Sequence, residues 1–284
     1  MNAARPPAAE AAIAGIAAAL GLEAPEISEL EGGVANRSFR LRARGREFVV
    51  KITGEAAGAL GANRRSAFAM HSLAAREGLA PPVVLADEPA GILVSRLAPG
   101  QVPDADDFES AAMLRRVGAW IARLHALPPP SGLPAVDFGE RAAAYLTRLV
   151  EQGDSFAKKL LRELERRRAD LPAPARLASC HHDLHHRNFI DDGNVVLVVD
   201  WEYAGPGDPA ADLASCIGYH RLEGAAIEAL LEGYGGASAE LRGRIAALGW
   251  IFDCLWFGWN ATARLVGLGA PPAEQARLAA RLAR

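Results

Sequence analysis

The segment from Cys180 to Asp212 restricts the fold of this chain more than any other. It interrupts long stretches of helical hydrophobic spacing with loops and one short apolar run, Val195–Val199. Asp183 and Asn188 stand in a D-x-x-x-x-N spacing within His181-His182-Asp183-Leu184-His185-His186-Arg187-Asn188, and Asp200 ends the apolar run. A buried strand carries a carboxylate out to its tip and holds it there. Such oxygen-bearing side chains, brought near a third, suit a hard cation. Taken singly, Asp200 reads as a turn residue and Asp183 as a cap; their order with Asn188 is what carries the argument. The four histidines admit a zinc reading through His-x-x-His spacing, but no cysteine or nearby fourth ligand completes a known pattern. The plainer reading is that His181 braces the loop by hydrogen bonds, with His186 and Arg187 partly solvated.

Around this segment the chain divides in two. Its first part reads as a helix over Ala11–Leu22 and then short β-type runs at Glu26–Leu30, Ser38–Ala43 and Arg46–Ile52. A helix follows over Asn63–Arg76, stopped by Gly78 and Pro81-Pro82, then strands at Val83–Ala86 and Ile92–Val94. From Phe108 the pattern turns helical: Phe108–Leu127, Asp137–Val150 and Phe156–Asp170, with helices again after Asp212. We therefore expect an α+β chain of two lobes joined near Ser95–Pro103: a small antiparallel-sheet lobe, 1–96, and a larger, mostly helical lobe, 97–284. With 284 residues, half of them hydrophobic, either one large core or two moderate ones can form.

Charge narrows the partners. The chain has 31 basic and 34 acidic residues, a net charge of −3, so no basic excess points to nucleic acid or an anionic membrane surface. No apolar run is long enough to span a bilayer, and Ala11–Leu22 reads as an amphipathic helix and not as a signal peptide. Three scattered cysteines, Cys180, Cys216 and Cys254, suit a reducing cytoplasm. The expected partner is a small molecule.

Two further features belong with the acidic segment. Gly32 and Gly33, with Asn36, lie between two expected strands, where glycines let backbone N–H groups approach phosphate oxygens; alone, Gly-Gly is a plain turn. Lys51 ends the strand Phe48-Val49-Val50-Lys51, one hairpin later. Together with the acids, these features suit phosphoryl transfer: metals neutralise phosphate charge and a separate carboxylate orients the attacking hydroxyl.

On these residues the chain resembles the choline and ethanolamine kinases within the aminoglycoside phosphotransferase superfamily, which is protein-kinase-like, and it is also similar to thiamine kinase. His181-x-Asp183 with Asn188 resembles the catalytic loop. Asp200-Trp201-Glu202-Tyr203-Ala204-Gly205 resembles the metal motif, and Asp208-Pro209-Ala210-Ala211-Asp212-Leu213-Ala214 the segment that follows it. The resemblance implies ATP and Mg²⁺ as cofactors. Asp183 would be the base or hydroxyl-orienting group, and His185 would lie beside it in a less defined role. Asn188 and Asp200 would hold the metal, and Asp212 and His181 would be structural. It implies that Gly32, Gly33, Asn36 and Lys51 face the phosphates, and that Ser95 and Leu97 belong to the hinge that binds adenine. One departure stands out: the family's glutamate early in the helix after the lysine is missing here, where the sequence reads Arg64-Arg65-Ser66-Ala67-Phe68-Ala69. The partner of Lys51 is therefore open, and a weakly active, nucleotide-binding relative is the alternative.

The acceptor is sought on the helix Trp250-Ile251-Phe252-Asp253-Cys254-Leu255-Trp256-Phe257-Gly258-Trp259-Asn260. Asp253, Trp256 and Asn260 share a face, with Trp259 beside them. Aromatic residues at this spacing are ordinarily core. An aspartate and an asparagine among them are awkward in a dry core and make sense in a pocket for a cation. By the resemblance, Trp256, Trp259, Glu202 and Tyr203 line such a pocket. Choline-like amino alcohols come first as acceptors; thiamine and aminoglycosides remain open.

Overall fold

The computed structural model describes residues 7–30, 36–268 and 272–283. Its first strands follow from simple alternation. In β1 (Glu26–Leu30), β2 (Asn36–Ala43) and β3 (Arg46–Thr53), Phe39, Leu41, Phe48 and Val50 point to one face and are fully buried there. That face packs on Ile13, Ile16 and Ala17 of α1 (Pro7–Ala19), forming a small core of its own. The β2–β3 hairpin turns on Arg44 and Gly45, both at positive φ, as a two-residue turn matched to strand twist requires. The period of two then sends Lys51 to the opposite face.

A short 3-10 turn, Glu55–Leu60, leads into α2 (Arg64–Arg76), where the Asn63 side chain accepts from Ser66 N at 3.0 Å. Strands β4 (Val83–Asp87) and β5 (Ile92–Arg96) complete an antiparallel sheet of order β1-β2-β3-β5-β4. The expected helix Phe108–Leu127 is split. Asp104 and Asp107 cap a 3-10 turn over Ala105–Glu109, extended Ser110 breaks it, and α3 runs Ala111–Ala126.

α4 (Phe138–Glu151) and α5 (Ser155–Asp170) follow, each opened by an aspartate cap, Asp137 and Asp154. The acidic segment holds two small ribbons. β6 (Ala178–Cys180) pairs with β9 (Gly205–Gly207), and β7 (Phe189–Asp191) pairs with β8 (Val196–Val198). α6 (Pro209–His220), α7 (Ala225–Tyr234), α8 (Ala239–Leu265) and α9 (Pro272–Leu282) close the chain. Among the described residues no helix is long and apolar enough to cross a membrane.

The larger core surrounds Trp120, Phe189, Trp201 and Phe252 and takes in Met70 and Ala74 of α2, so the helix of the small lobe is half rooted in the large one. The Leu79 carbonyl, just past α2, accepts from both Val198 N at 3.0 Å and Trp120 Nε1 at 3.1 Å. Trp201 sits against His181, with ring centroids 4.7 Å apart, and against His71, at 6.2 Å. These contacts fix the acidic segment to the underside of the sheet lobe.

Burial holds His71 and His182 neutral, pushing each from 6.5 down to about 4; His71 also feels Lys51. Between those values the unfolded chain takes up protons that the folded chain refuses. Stability therefore rises with pH across this window and is lost as pH falls through it, by roughly 3 kcal/mol per histidine at most. Thermal melts between pH 6.5 and 4 should show Tm falling as acid is added, with a shallower slope for His71→Gln. A flat profile would contradict the buried, neutral state of these rings.

Candidate active site

Asp212 organises the loop that carries Asp183. It lies in the first turn of α6 with its carboxylate fully buried. Its Oδ1 accepts from His182 N at 2.6 Å, and its Oδ2 from His181 N at 2.9 Å and His125 Nε2 at 3.1 Å. Burial opposes its charge, but the His125 hydrogen bond and the nearby histidines win and hold it down to about 2. With Nε2 donating, Nδ1 of His125 accepts from the Tyr234 hydroxyl at 3.0 Å. Sequence reasoning missed His125; it ends an amphipathic helix, and nothing local separates it from a core histidine.

The histidine run serves the loop. His181 and His182 put ring nitrogens on the Val199 and Tyr203 carbonyl oxygens, at 3.0 and 3.2 Å. Their rings are thus committed to backbone and do not converge as the zinc reading requires. Among the described residues, metal-capable side chains gather instead at His125, Cys180 and Asp212, all buried and already in mutual contact. Burial also pushes the Cys180 thiol well up, which keeps it protonated.

Asp183, thus held, is nearly buried. Its Oδ1 accepts from the Tyr219 hydroxyl at 2.7 Å, and its Oδ2 from Asn188 Nδ2 at 3.2 Å, while His185 Nε2 lies 3.6 Å away. Asn188 Nδ2 also reaches the Asp183 carbonyl at 2.8 Å. With its nitrogen committed to Asp183, the amide presents its oxygen elsewhere. Tyr219 is a second residue that sequence reasoning missed. It lies two turns after Asp212 on α6, a spacing that places it on the same helix face.

Asp200 sits just past β8 at φ 66°, a left-handed backbone that turns the chain sharply after the strand. It forms an ion pair with Lys51 Nζ across the two lobes. The missing acid in α2 therefore does not leave Lys51 alone: no acid lies in the helix's first turn, and Asp200 takes that place. Burial disfavours the Lys51 charge, but Asp200 and Glu202 outweigh it and raise its pKa. Burial likewise opposes charge on Asp200, and Lys51 outweighs it, so its pKa is lowered. Glu202 is pushed up to about 7, first by burial and then by Asp200. Three carboxylates thus crowd around one ammonium. With the Asn188 amide oxygen they make a donor set that could hold a hard divalent cation.

The remaining candidates fall as follows. Gly32 and Gly33 lie outside the described residues. Asn36, at the start of β2, donates to Glu202 Oε2 and accepts from Gly54 N at 3.2 Å, which ties the end of the glycine segment to the acidic motif. Ser95 is buried in β5 between Val49 and Val83. The Leu97 amide donates to the Glu47 carbonyl at 3.1 Å, so that N–H is engaged.

On α8, Trp259 Nε1 donates to the Tyr203 hydroxyl at 2.8 Å. Trp256 meets the edge of Tyr219, with centroids 4.7 Å apart, and so stands one ring from Asp183. Asp253 points away from this group: its Oδ2 accepts from Arg281 Nε of α9 at 2.7 Å. Asn260 returns its Nδ2 to the Trp256 carbonyl at 2.7 Å. The two polar residues that suggested a cation pocket are thus satisfied within and between helices, while Trp256 lies against Tyr219 and Trp259 against Tyr203.

The geometry can be set against known proteins. The chain resembles a choline/ethanolamine kinase family protein from Mesorhizobium loti, with 27% identity, a TM-score of 0.78, and coverage of 97% of this chain and 93% of that one. It shares the fold of the choline kinase LicA from Streptococcus pneumoniae, at 22% identity and TM-score 0.79, covering 97% of both. LicA has also been solved in complex with AMP. A 56-residue stretch, 19% of this chain, is 45% identical to thiamine kinase from Escherichia coli. The chain thus spans about a fifth, 20%, of the length of the curated thiamine kinases it matches. The fold is the two-lobed, protein-kinase-like α+β fold expected from the sequence. The pattern of the phosphotransferase enzyme family matches residues 26–248, most of the chain, and the chain belongs to that family.

Proposed function

We propose that this chain is an ATP- and Mg²⁺-dependent kinase that transfers the γ-phosphoryl group to the hydroxyl of a small amino alcohol, choline-like first and thiamine second. One observation carries the reading: Asp183 is oriented from both oxygens, by Tyr219 and Asn188, beside the Lys51–Asp200 pair that joins the lobes. The nucleotide would lie between lobe 1–96 and lobe 97–284, with Lys51, Asn36 and the Gly32-Gly33 segment toward its phosphates and Ser95 and Leu97 toward its base. Asn188 and Asp200 would hold Mg²⁺, which when bound neutralises charge on the phosphates.

The residues of the chain then divide the work. Asp183 accepts or orients the proton of the acceptor hydroxyl. Its fixed donors keep it from rotating, so the hydroxyl meets a carboxylate already aimed. Lys51 supplies a positive charge whose pKa is raised, so it stays protonated at neutral pH. His185, 3.6 Å from Asp183, stands at the edge of the same cleft. The ring group of Tyr203, Tyr219, Trp256 and Trp259 would receive the acceptor's ammonium, each cation–π contact contributing roughly 0.5–2 kcal/mol. The coverage of the choline/ethanolamine kinase family protein and the similarity to thiamine kinase both support a cationic alcohol as acceptor.

A phosphorylation screen with Mg-ATP across choline, ethanolamine, thiamine and aminoglycosides tests the assignment directly. In that assay Asp183→Asn should abolish transfer while nucleotide binding stays nearly intact, and Asp200→Asn should weaken both. Near-wild-type turnover by Asp183→Asn would remove the aspartate from the mechanism.

Lys51→Met keeps the side-chain volume and removes the charge. It should raise the KM for Mg-ATP or lower turnover by about tenfold or more. Unchanged kinetics would exclude Lys51 from the phosphate site. Trp256→Ala should raise the acceptor KM severalfold and leave that of ATP in place. If a neutral sugar is phosphorylated and no amino alcohol is, the tryptophans are core and the cage reading fails.

A further inference from the structure

The acceptor side of the cleft contains a guanidinium that no part of the proposed mechanism uses. Arg141 lies in the first turns of α4, and its guanidinium carbon is 4.4 Å from the centroid of the Tyr203 ring. It lines a cavity of about 180 Å³ together with Ser66 and Tyr203 and with three acids, Asp137, Glu140 and Glu202. Its Nε is buried and meets no acceptor, and Ser66 Oγ, in the same lining, is also buried without one. Gly61, at φ 78°, lies against the Arg141 and Tyr145 side chains: a Cβ there would crowd the Tyr145 hydroxyl at 3.1 Å and make ordinary contact with an Arg141 nitrogen at 3.5 Å. The small lobe thus walls in the arginine from one side while Tyr203 walls it in from another.

Among the described residues Arg141 makes no ion pair, although acids are near. Asp137 and Glu140 face Arg168, at 3.5 and 3.7 Å, and Glu202 accepts from Asn36. The other two arginines beside the rings are engaged: Arg277, 5.7 Å over Trp256, is paired with Glu274, and Arg281 is paired with Asp253. These neighbouring acids have partners among the described residues, whereas Arg141 has only neutral ones, the Tyr203 ring and the Tyr145 hydroxyl. A guanidinium partly desolvated and without a counter-ion gains most from a planar anion, which it can grip with two N–H donors.

We propose that Arg141 binds a carboxylate on the acceptor, so that the substrate is an amino alcohol that also bears an acid group. Its ammonium would meet the Trp256 and Trp259 side of the ring group and its carboxylate would meet Arg141, with Tyr203 between them. This deepens the kinase reading of the same site and rests on it for the fate of the hydroxyl.

Matched pairs isolate the acid group: carnitine against choline, and serine against ethanolamine. Binding is measured by titration calorimetry without nucleotide, and phosphorylation by steady-state kinetics with Mg-ATP. The wild-type protein should favour the carboxylated member of at least one pair by about tenfold or more. Arg141→Gln should erase that preference through KM or Kd, and Arg141→Lys should restore part of it, while the KM for Mg-ATP stays within about twofold. Equal binding of both members by the wild-type protein, no binding of either carboxylated compound, or equal loss of both in Arg141→Gln would overturn the assignment. Selective binding of the carboxylated compounds with no phosphorylation of any acceptor would sink the kinase reading and leave Arg141 as the carboxylate site.

Discussion

A single buried carboxylate, Asp212, sets the conditions for the rest of this site. A charge without exposure in a protein interior persists only when donors surround it. Here three donors come from two directions: the amides of His181 and His182 from the loop that carries Asp183, and the ring of His125 from α3. Removing any one leaves the others around an under-satisfied charge, so the loop is held by the cost of letting go. The unusual backbone of His182, at φ 65°, follows from the same demand, since both amides must turn toward one carboxylate. Asp183, the next residue, inherits its position from this arrangement.

The second dependence is between lobes. Lys51 comes from the sheet and Asp200 from the tip of a ribbon in the helical lobe, and their ion pair spans the cleft. The joint is broader than one pair. Leu79 receives two donors from the large lobe, Asn36 reaches Glu202, and Asn63 N donates to the Glu202 carbonyl at 3.2 Å. The Tyr145 hydroxyl and the Arg148 guanidinium hold the carbonyls of Leu60 and Ala59, both at 2.6 Å. The turn before α2 is thereby strapped to α4. α2 itself opens on two arginines and no acid, and Lys51 finds its carboxylate elsewhere.

Much of this was legible in the chain. The β-type runs of β2 and β3, the helical spacing of α2, α4 and α5, and the order Asp183, Asn188, Asp200 and Asp212 locate the sheet, the helices and the acidic centre without a structure. What failed was specific. Phe108 reads as helix because its spacing is right, but the Asp104–Asp107 capping pair starts a separate turn and Ser110 breaks it. Asp253 reads as a cation ligand because an acid on an aromatic face needs a partner; the partner is Arg281, 28 residues on, and only the return of α9 brings it there.

The division follows from the range of the forces involved. Sequence by itself determined what depends on neighbours in the chain: which runs are strands or helices, where glycine and capping residues end them, and which short motif carries the carboxylates. Tertiary structure alone decided who faces whom across the fold. It paired Lys51 with Asp200, 149 residues apart, and Tyr219 with Asp183, and it placed Arg141 against Tyr203 with no ion pair among the described residues. A charge or a hydroxyl in a sequence announces that it needs a partner. Which partner it finds depends on desolvation and packing among elements distant in the chain, and those exist only once the lobes have closed on one another.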